Sequence, residues 1–144
     1  MLLVSASADA GTPVLQGRVE VVLAHHYRGE LATIKKDFVD AGLSNVHFQF
    51  TRSGQPPPNI GLGRQVPADL ARAAMRLALK YNREVKVLLP RYLFPPMFIT
   101  IASSNFDDTV EFPIDEDMLT RLLDPSLGTE EFHKLYRQFT TVKR

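Results

Sequence analysis

The stretch with the plainest chemical potential is Gly61-Leu62-Gly63-Arg64, which stands just before a run that reads as helix. Backbone N–H groups at such a turn, together with a helix N-terminus, form a seat for phosphate. The pattern stops short of a nucleotide motif. It has no third glycine at the dinucleotide spacing and no Gly-Lys-Ser/Thr of a P-loop, and Asp69 falls in the first helical turn, where it repels an anion. An anion site at Gly61, Gly63 and Arg64 is therefore the alternative, and glycines that merely let a short strand turn into a helix are the expectation. His25 and His26 invite a metal or general-base reading, but neighbours on extended chain point to opposite sides, so both do not hold one ion. His47 could approach one of them, yet spacing locates no carboxylate partner. Asp107, Asp108 and Glu111 lack a calcium-loop pattern, and Ser103 and Ser104 sit in no Gly-x-Ser-x-Gly elbow. The chain has no cysteine, which removes disulfides, thiolate catalysis and cysteine-based zinc sites together. These residues describe a non-catalytic chain with no cofactor and no metal.

Two surfaces suit binding instead. The helix predicted over Ala68 to Tyr81 carries charge only at Asp69, Arg72, Arg76 and Lys80, which places them on one narrow stripe and leaves the remainder apolar. Arg72, Arg76 and Lys80 read as an exposed row of like charges, mildly destabilising at this spacing, and so as a candidate contact for an anionic partner. A plain solvated side is the competing reading, since a helix C-terminus welcomes cations. The second surface is Arg91-Tyr92-Leu93-Phe94-Pro95-Pro96-Met97. Turns are usually polar, so Tyr92, Leu93, Phe94 and Met97 need cover, either from the chain's own C-terminal helices or from a partner.

The elements that hold these residues are legible in order. Val19, Val21 and Leu23 alternate with Arg18, Glu20 and Val22 as a strand. A helix follows with Leu31, Ile34, Phe38 and Val39 on one face, stopped by Gly42. Val46, Phe48 and Phe50 make a second strand. Pro56-Pro57-Pro58 forces a loop, after which Ile60 to Leu62 gives a short strand and Pro67 opens the long helix. Val85, Val87 and Leu89 form a strand ended by Pro90, and Met97, Ile99 and Ile101 another; the pair reads as a hairpin with a long tip. Asp115 caps a helix with Met118, Leu119, Leu122 and Leu123 inward, and Thr129 caps a last one with the stripe Phe132, Leu135, Tyr136 and Phe139. The order gives an α+β fold, a βαβ(β)αββ sheet with two helices packed on one face, followed by two C-terminal helices. Residues 1–13 read as a loose leader or edge strand, 14–112 as the core domain and 113–144 as a helical extension packing on it.

With 144 residues, 44% hydrophobic and 23% charged, the chain is the size of one globular domain. Its formal charge is +1, which does not suggest whole-chain attraction to nucleic acid or anionic lipid. The distribution is uneven: residues 1–106 hold twelve Lys/Arg against seven Asp/Glu, and 107–144 five against nine, so an acidic end could fold back on a basic body. Residues 1–13 lack a positive n-region and a full apolar core, and no run spans a bilayer, so a soluble, cytoplasmic chain without membrane contact is expected. The run Val19 to Leu23, followed by Gly29, Leu31, Phe38 and Ala41-Gly42-Leu43, resembles the opening of the LytR C-terminal domain family, a strand, loop and helix ending in alanine-glycine-aromatic. The later helix with Ala71, Ala74 and Ala78 and the strand after it are similar in order to that family's second half. Leu23 departs from its usual asparagine, and two histidines replace small residues in the loop. The family has no established catalytic residues, so the resemblance implies an accessory or wall-associated binding role. The sequence as a whole predicts a binding module for a protein partner or a second copy of itself. The rival is an anion- or nucleotide-binding enzyme domain built on Gly61–Arg64.

Overall fold

The computed structural model describes residues 17–90, 93–105 and 113–141. Along them lie β1 (Val19–Leu23), a 3-10 turn (His25–Glu30), α1 (Leu31–Asp40), β2 (Val46–Phe50), β3 (Asn59–Leu62), α2 (Ala68–Asn82), β4 (Val87–Leu89), β5 (Ile99–Ile101), α3 (Glu116–Leu122) and α4 (Thr129–Thr141). The fold is α+β, on one mixed sheet in the order β2-β1-β5-β3-β4. Two strand–helix–strand units each pair their own strands in parallel, Val21 opposite Phe48 in the first and Ile60 opposite Leu88 in the second. β5 joins them, parallel to β1 and antiparallel to β3. The hairpin expected of β4 and β5 is therefore absent, because β3 lies between them. β4 stays beside β3, its partner across the α2 crossover, and the connection from Pro90 to Phe98 has the length to carry the chain past the end of β3.

Alternation decides the two faces of the sheet. Val19, Val21, Leu23, Ile60, Leu62, Ile99 and Ile101 are buried and form the core with Ile34 and Phe38 of α1 and Leu70, Ala71, Ala74, Met75 and Ala78 of α2. Helix α2 lies over β3 and β5 and touches α1, and α4 packs against α2 and β4. Phe132, Tyr136 and Phe139 of α4 are buried in the same cluster, each side chain worth about 1.5–3 kcal/mol on removal from water. Residues of opposite parity, His47, Glu20, Thr100 and Gly61, lie side by side across β2, β1, β5 and β3 on the other face, where His47 is exposed and Glu20 half-buried.

The helix ends follow sequence signals, with two exceptions. Gly42, at φ 91°, takes the left-handed position after α1, and the Gly42 and Leu43 amides bond back to the Val39 and Phe38 carbonyls at 2.9 Å each, the Schellman arrangement. The Asp115 carboxylate caps α3 by accepting from the Met118 N–H at 2.8 Å. After α2 the left-handed residue is Arg83, at φ 73°, an arginine directly after the last helical residue, Asn82. The Thr129 hydroxyl accepts the Ala68 N–H at 3.0 Å and so caps α2 across space, where Pro67 offers no side-chain oxygen.

Candidate functional site

Residues 94–98 are held against the sheet by three sets of contacts that explain one another. A Cβ on Gly61 would overlap the ring of Phe94, and one on Gly63 would overlap the carbonyl oxygens of Pro95 and Pro96. The Gly63 N–H donates to the Phe98 carbonyl at 2.7 Å and the Gln65 N–H to that of Pro96 at 2.8 Å. Phe94 in turn stacks on Phe98, centroids 5.5 Å apart and planes 16° from parallel. The two glycines therefore exist for close approach of the crossing chain. This corrects the phosphate-seat reading of Gly61, Gly63 and Arg64 as far as the backbone is concerned, since the Gly63 amide is turned inward and engaged. Arg64 itself is exposed.

The same geometry supplies part of the cover that these apolar residues need. Phe94, Met97 and Phe98 are half-buried, Met97 packing on the core cluster, while Leu93 remains 41% exposed. Tyr92, Asp107, Asp108, Glu111 and the leader 1–13 lie outside the described residues. Phe98 was not singled out from sequence. Its signal was its parity, since Ile99 and Ile101 face the core and Phe98 and Thr100 must face the other way.

The cationic stripe of α2 divides. Arg72 is only 3% exposed, its guanidinium donating to the Asp69 carboxylate at 2.7 Å and to the Leu127 carbonyl at 3.2 Å. The row of three exposed cations is thus corrected to two, because the segment between α3 and α4 folds over Arg72. Arg76 is exposed. Lys80 donates to the Asp37 carboxylate of α1 at 2.7 Å, and the Tyr81 hydroxyl donates to the same oxygen. The Lys80 and Tyr81 hydrogen bonds hold Asp37 below the ordinary carboxylate range, and the Asp37 bond holds Lys80 above its own. Burial first, and then Asp37, pushes Tyr81 up. The cluster ties α1 to α2.

His25 and His26 are exposed neighbours in the 3-10 turn. The His26 ring lies 4.3 Å from that of Tyr27, and Tyr27 meets Tyr81 edge-on at 5.4 Å. His47 stands away from them, opposite Glu20 in the sheet register. Among the described residues no three His, Asp or Glu side chains converge as metal ligands. Ser103 is fixed by Asn59, whose buried side-chain amide pairs with both the Ser103 carbonyl and N–H at 2.9 Å; it serves as an added rung of the sheet.

One cleft was not foreseen. Arg64, Thr129, Glu130, His133, Lys134 and Arg137 line about 630 Å³ between the turn after β3 and the first turns of α4. His133 anchors it, its Nε2 2.7 Å from the Val66 carbonyl oxygen, which requires a proton on that nitrogen. The spacing of Lys134 and Arg137 puts both on one side of α4, but nothing in the order of residues says that Arg64 joins them. No helix among the described residues is long and apolar enough to cross a membrane. Compared with protein-family models, with curated proteins and with solved structures, the chain finds no match.

Proposed function

We propose that this chain is a non-catalytic binding module that engages a protein partner through the Leu93–Phe98 segment. The observation that carries the reading is the exposed Leu93 beside the stacked Phe94 and Phe98, all on a segment anchored by the Gly61 and Gly63 contacts. Interfaces concentrate their energy in apolar and aromatic anchors, and an anchor already fixed by its own backbone loses little freedom on binding. The resemblance of residues 19–43 to the LytR C-terminal domain family supports an accessory role of the same kind. The test is to select peptides from a random display library on the native chain and map their amide shift changes by NMR. Changes centred on Leu93, Phe94 and Phe98 are expected; changes centred elsewhere would remove the reading.

A second reading is favoured by the cleft beside α4, where Arg64, Lys134 and Arg137 face a lining with Glu130 as its carboxylate. In this reading the cleft binds a small anion through side chains, without the glycine backbone. Titration with inorganic pyrophosphate, followed at the Arg64 and Lys134 resonances, is expected to saturate and to weaken with salt. No shift at these residues would discard it.

A further inference from the structure

We infer that the partner site at Leu93–Phe98 continues into a small polar pocket on the same face of the sheet, and that this pocket takes a carboxamide side chain, that of asparagine, from the partner's peptide. The inference rests on the reading of Leu93–Phe98 as a partner site and names what the partner presents beside it. The pocket has a volume of about 60 Å³ and is bounded by Arg18 and Glu20 along β1, Gln49 on β2, Thr100 on β5, and Ser104 and Asn105 in the turn after β5.

Thr100 is the residue that points to a ligand. It is 3% exposed, yet its hydroxyl bonds to none of the described residues. Its methyl is turned toward β3, where it would lie 3.0 Å from a Cβ on Gly61, beside the Phe94 ring. The hydroxyl is the other branch of the same carbon, and the pocket that Thr100 lines lies on the side of Glu20, its register neighbour on β1. A covered hydroxyl without a partner is unfavourable, and a ligand that bonds to it removes that penalty. Thr100 thus borders both surfaces, with its methyl toward the Phe94 ring and its hydroxyl toward the pocket. Phe98 precedes it by two residues on the same face.

The far wall of the pocket is fixed in advance. Ala102 takes a left-handed φ of 61°, which alanine holds only where its surroundings impose it, and such strain clusters at ligand sites. Asn59 clamps the next residue, Ser103, through two bonds of 2.9 Å. The Asn105 N–H donates to the Ser103 hydroxyl at 3.2 Å.

The charges select the ligand. Arg18 Nε donates to Glu20 Oε2 at 2.8 Å, so an ammonium group would meet the guanidinium and a carboxylate would meet Glu20. A neutral group with both a donor and an acceptor meets neither penalty. The second Glu20 oxygen and the Thr100 hydroxyl accept, and the Gln49 and Asn105 amides and the Ser104 hydroxyl donate. The volume is that of about two water-sized groups, which the NH₂ and C=O of a carboxamide fill and a lone hydroxyl does not. Alternate side chains of an extended peptide stand about 6.6–6.8 Å apart, the spacing of Phe98 and Thr100 along β5. The partner sequence is therefore an apolar residue and an asparagine separated by one residue.

The experiment titrates the native chain with acetamide, acetate and methylammonium, followed at the Thr100, Ser104 and Asn105 amide resonances. His47 also lines the pocket, so the titrations are run at about pH 8, above the ordinary imidazole range. Acetamide should saturate, about tenfold or more tighter than either ion. Thr100→Val should abolish this without lowering the melting temperature, because the hydroxyl has no bond within the chain to lose. Glu20→Gln leaves the Arg18 guanidinium unpaired in the pocket and should turn the preference to acetate. Peptides selected by display on the native chain should carry the spaced asparagine, and those selected on Thr100→Val only the apolar residue. An equal response to the three probes, or an acetamide response that survives Thr100→Val, would overturn the inference. Peptides that map to Leu93 and Phe98 without the asparagine would overturn it and leave the partner site standing, whereas peptides that map elsewhere would overturn both.

Discussion

Replacing Gly61 by Ala tests whether the glycines of the β3 turn serve packing. In a strand, alanine is intrinsically better than glycine by about 0.5–1 kcal/mol. Here the added methyl meets the Phe94 ring, and overpacking of this kind costs about 1–3 kcal/mol, so the variant should lose up to about 2 kcal/mol net. Phe94→Ala alone gives up the stacking on Phe98, about 0.5–1.5 kcal/mol, besides the ring's burial. Combining the two removes the larger obstruction, the ring, and leaves the Thr100 methyl at 3.0 Å, so the double variant should be more stable than the sum of the single losses by about 1–3 kcal/mol. Gly63→Ala should show no such rescue, because its obstacles are the backbone oxygens of Pro95 and Pro96. Urea unfolding followed by circular dichroism supplies the four free energies of the cycle. Additive losses for Gly61→Ala and Phe94→Ala would refute the reasoning.

Arg72→Ala should cost about 1–3 kcal/mol by leaving the Leu127 carbonyl unpaired in a covered site, whereas Arg76→Ala should stay within about 0.5 kcal/mol; chemical denaturation of both checks the division of the stripe. Leu77→Asp should prevent folding, since it puts an unpaired charge at a buried position and removes burial worth about 1.5–3 kcal/mol; a native far-ultraviolet spectrum would contradict this. Asp37 is held below its ordinary value of 3.8, so its stabilising effect is present above that pH and is lost as pH falls through the lower folded value. Lys80 and Tyr81, raised from 10.5 and 10.0, stabilise below those values and lose the effect as pH rises through the higher folded ones. Thermal melts against pH should show the gap between the native chain and Asp37→Asn closing below pH 3.8. Tyr136→Phe should cost about 1–3 kcal/mol through the lost bond to the Leu89 carbonyl, read by calorimetry.

The elements were legible because their signals are local. Period-two runs marked β1 and β2, and Gly42 and Asp115 marked helix ends by their own backbone and side-chain chemistry. What sequence did not carry was pairing at a distance. Proximity in the chain favoured a β4–β5 hairpin, yet β3 stands between them. Arg72 has the charge and spacing of an exposed residue, and only the fold of the segment at Leu127 buries it. Thr129 bears the signature of a cap, and its hydroxyl serves α2 because Pro67 leaves the Ala68 N–H without a nearby acceptor. Gly61 and Gly63 read first as a turn and only alternatively as a phosphate seat, and the crossing chain that uses them lies about thirty residues later.

The measurement closest to the central claim is a paired one on Leu93→Ser, with melting temperature and affinity for a display-selected peptide recorded on the same sample. Because Leu93 is exposed and the anchoring contacts belong to its neighbours, melting should barely move, while affinity should fall by about tenfold or more, as expected for an interface anchor. Unchanged affinity with a melting temperature lowered by several degrees would contradict it, and would make Leu93–Phe98 part of the fold alone.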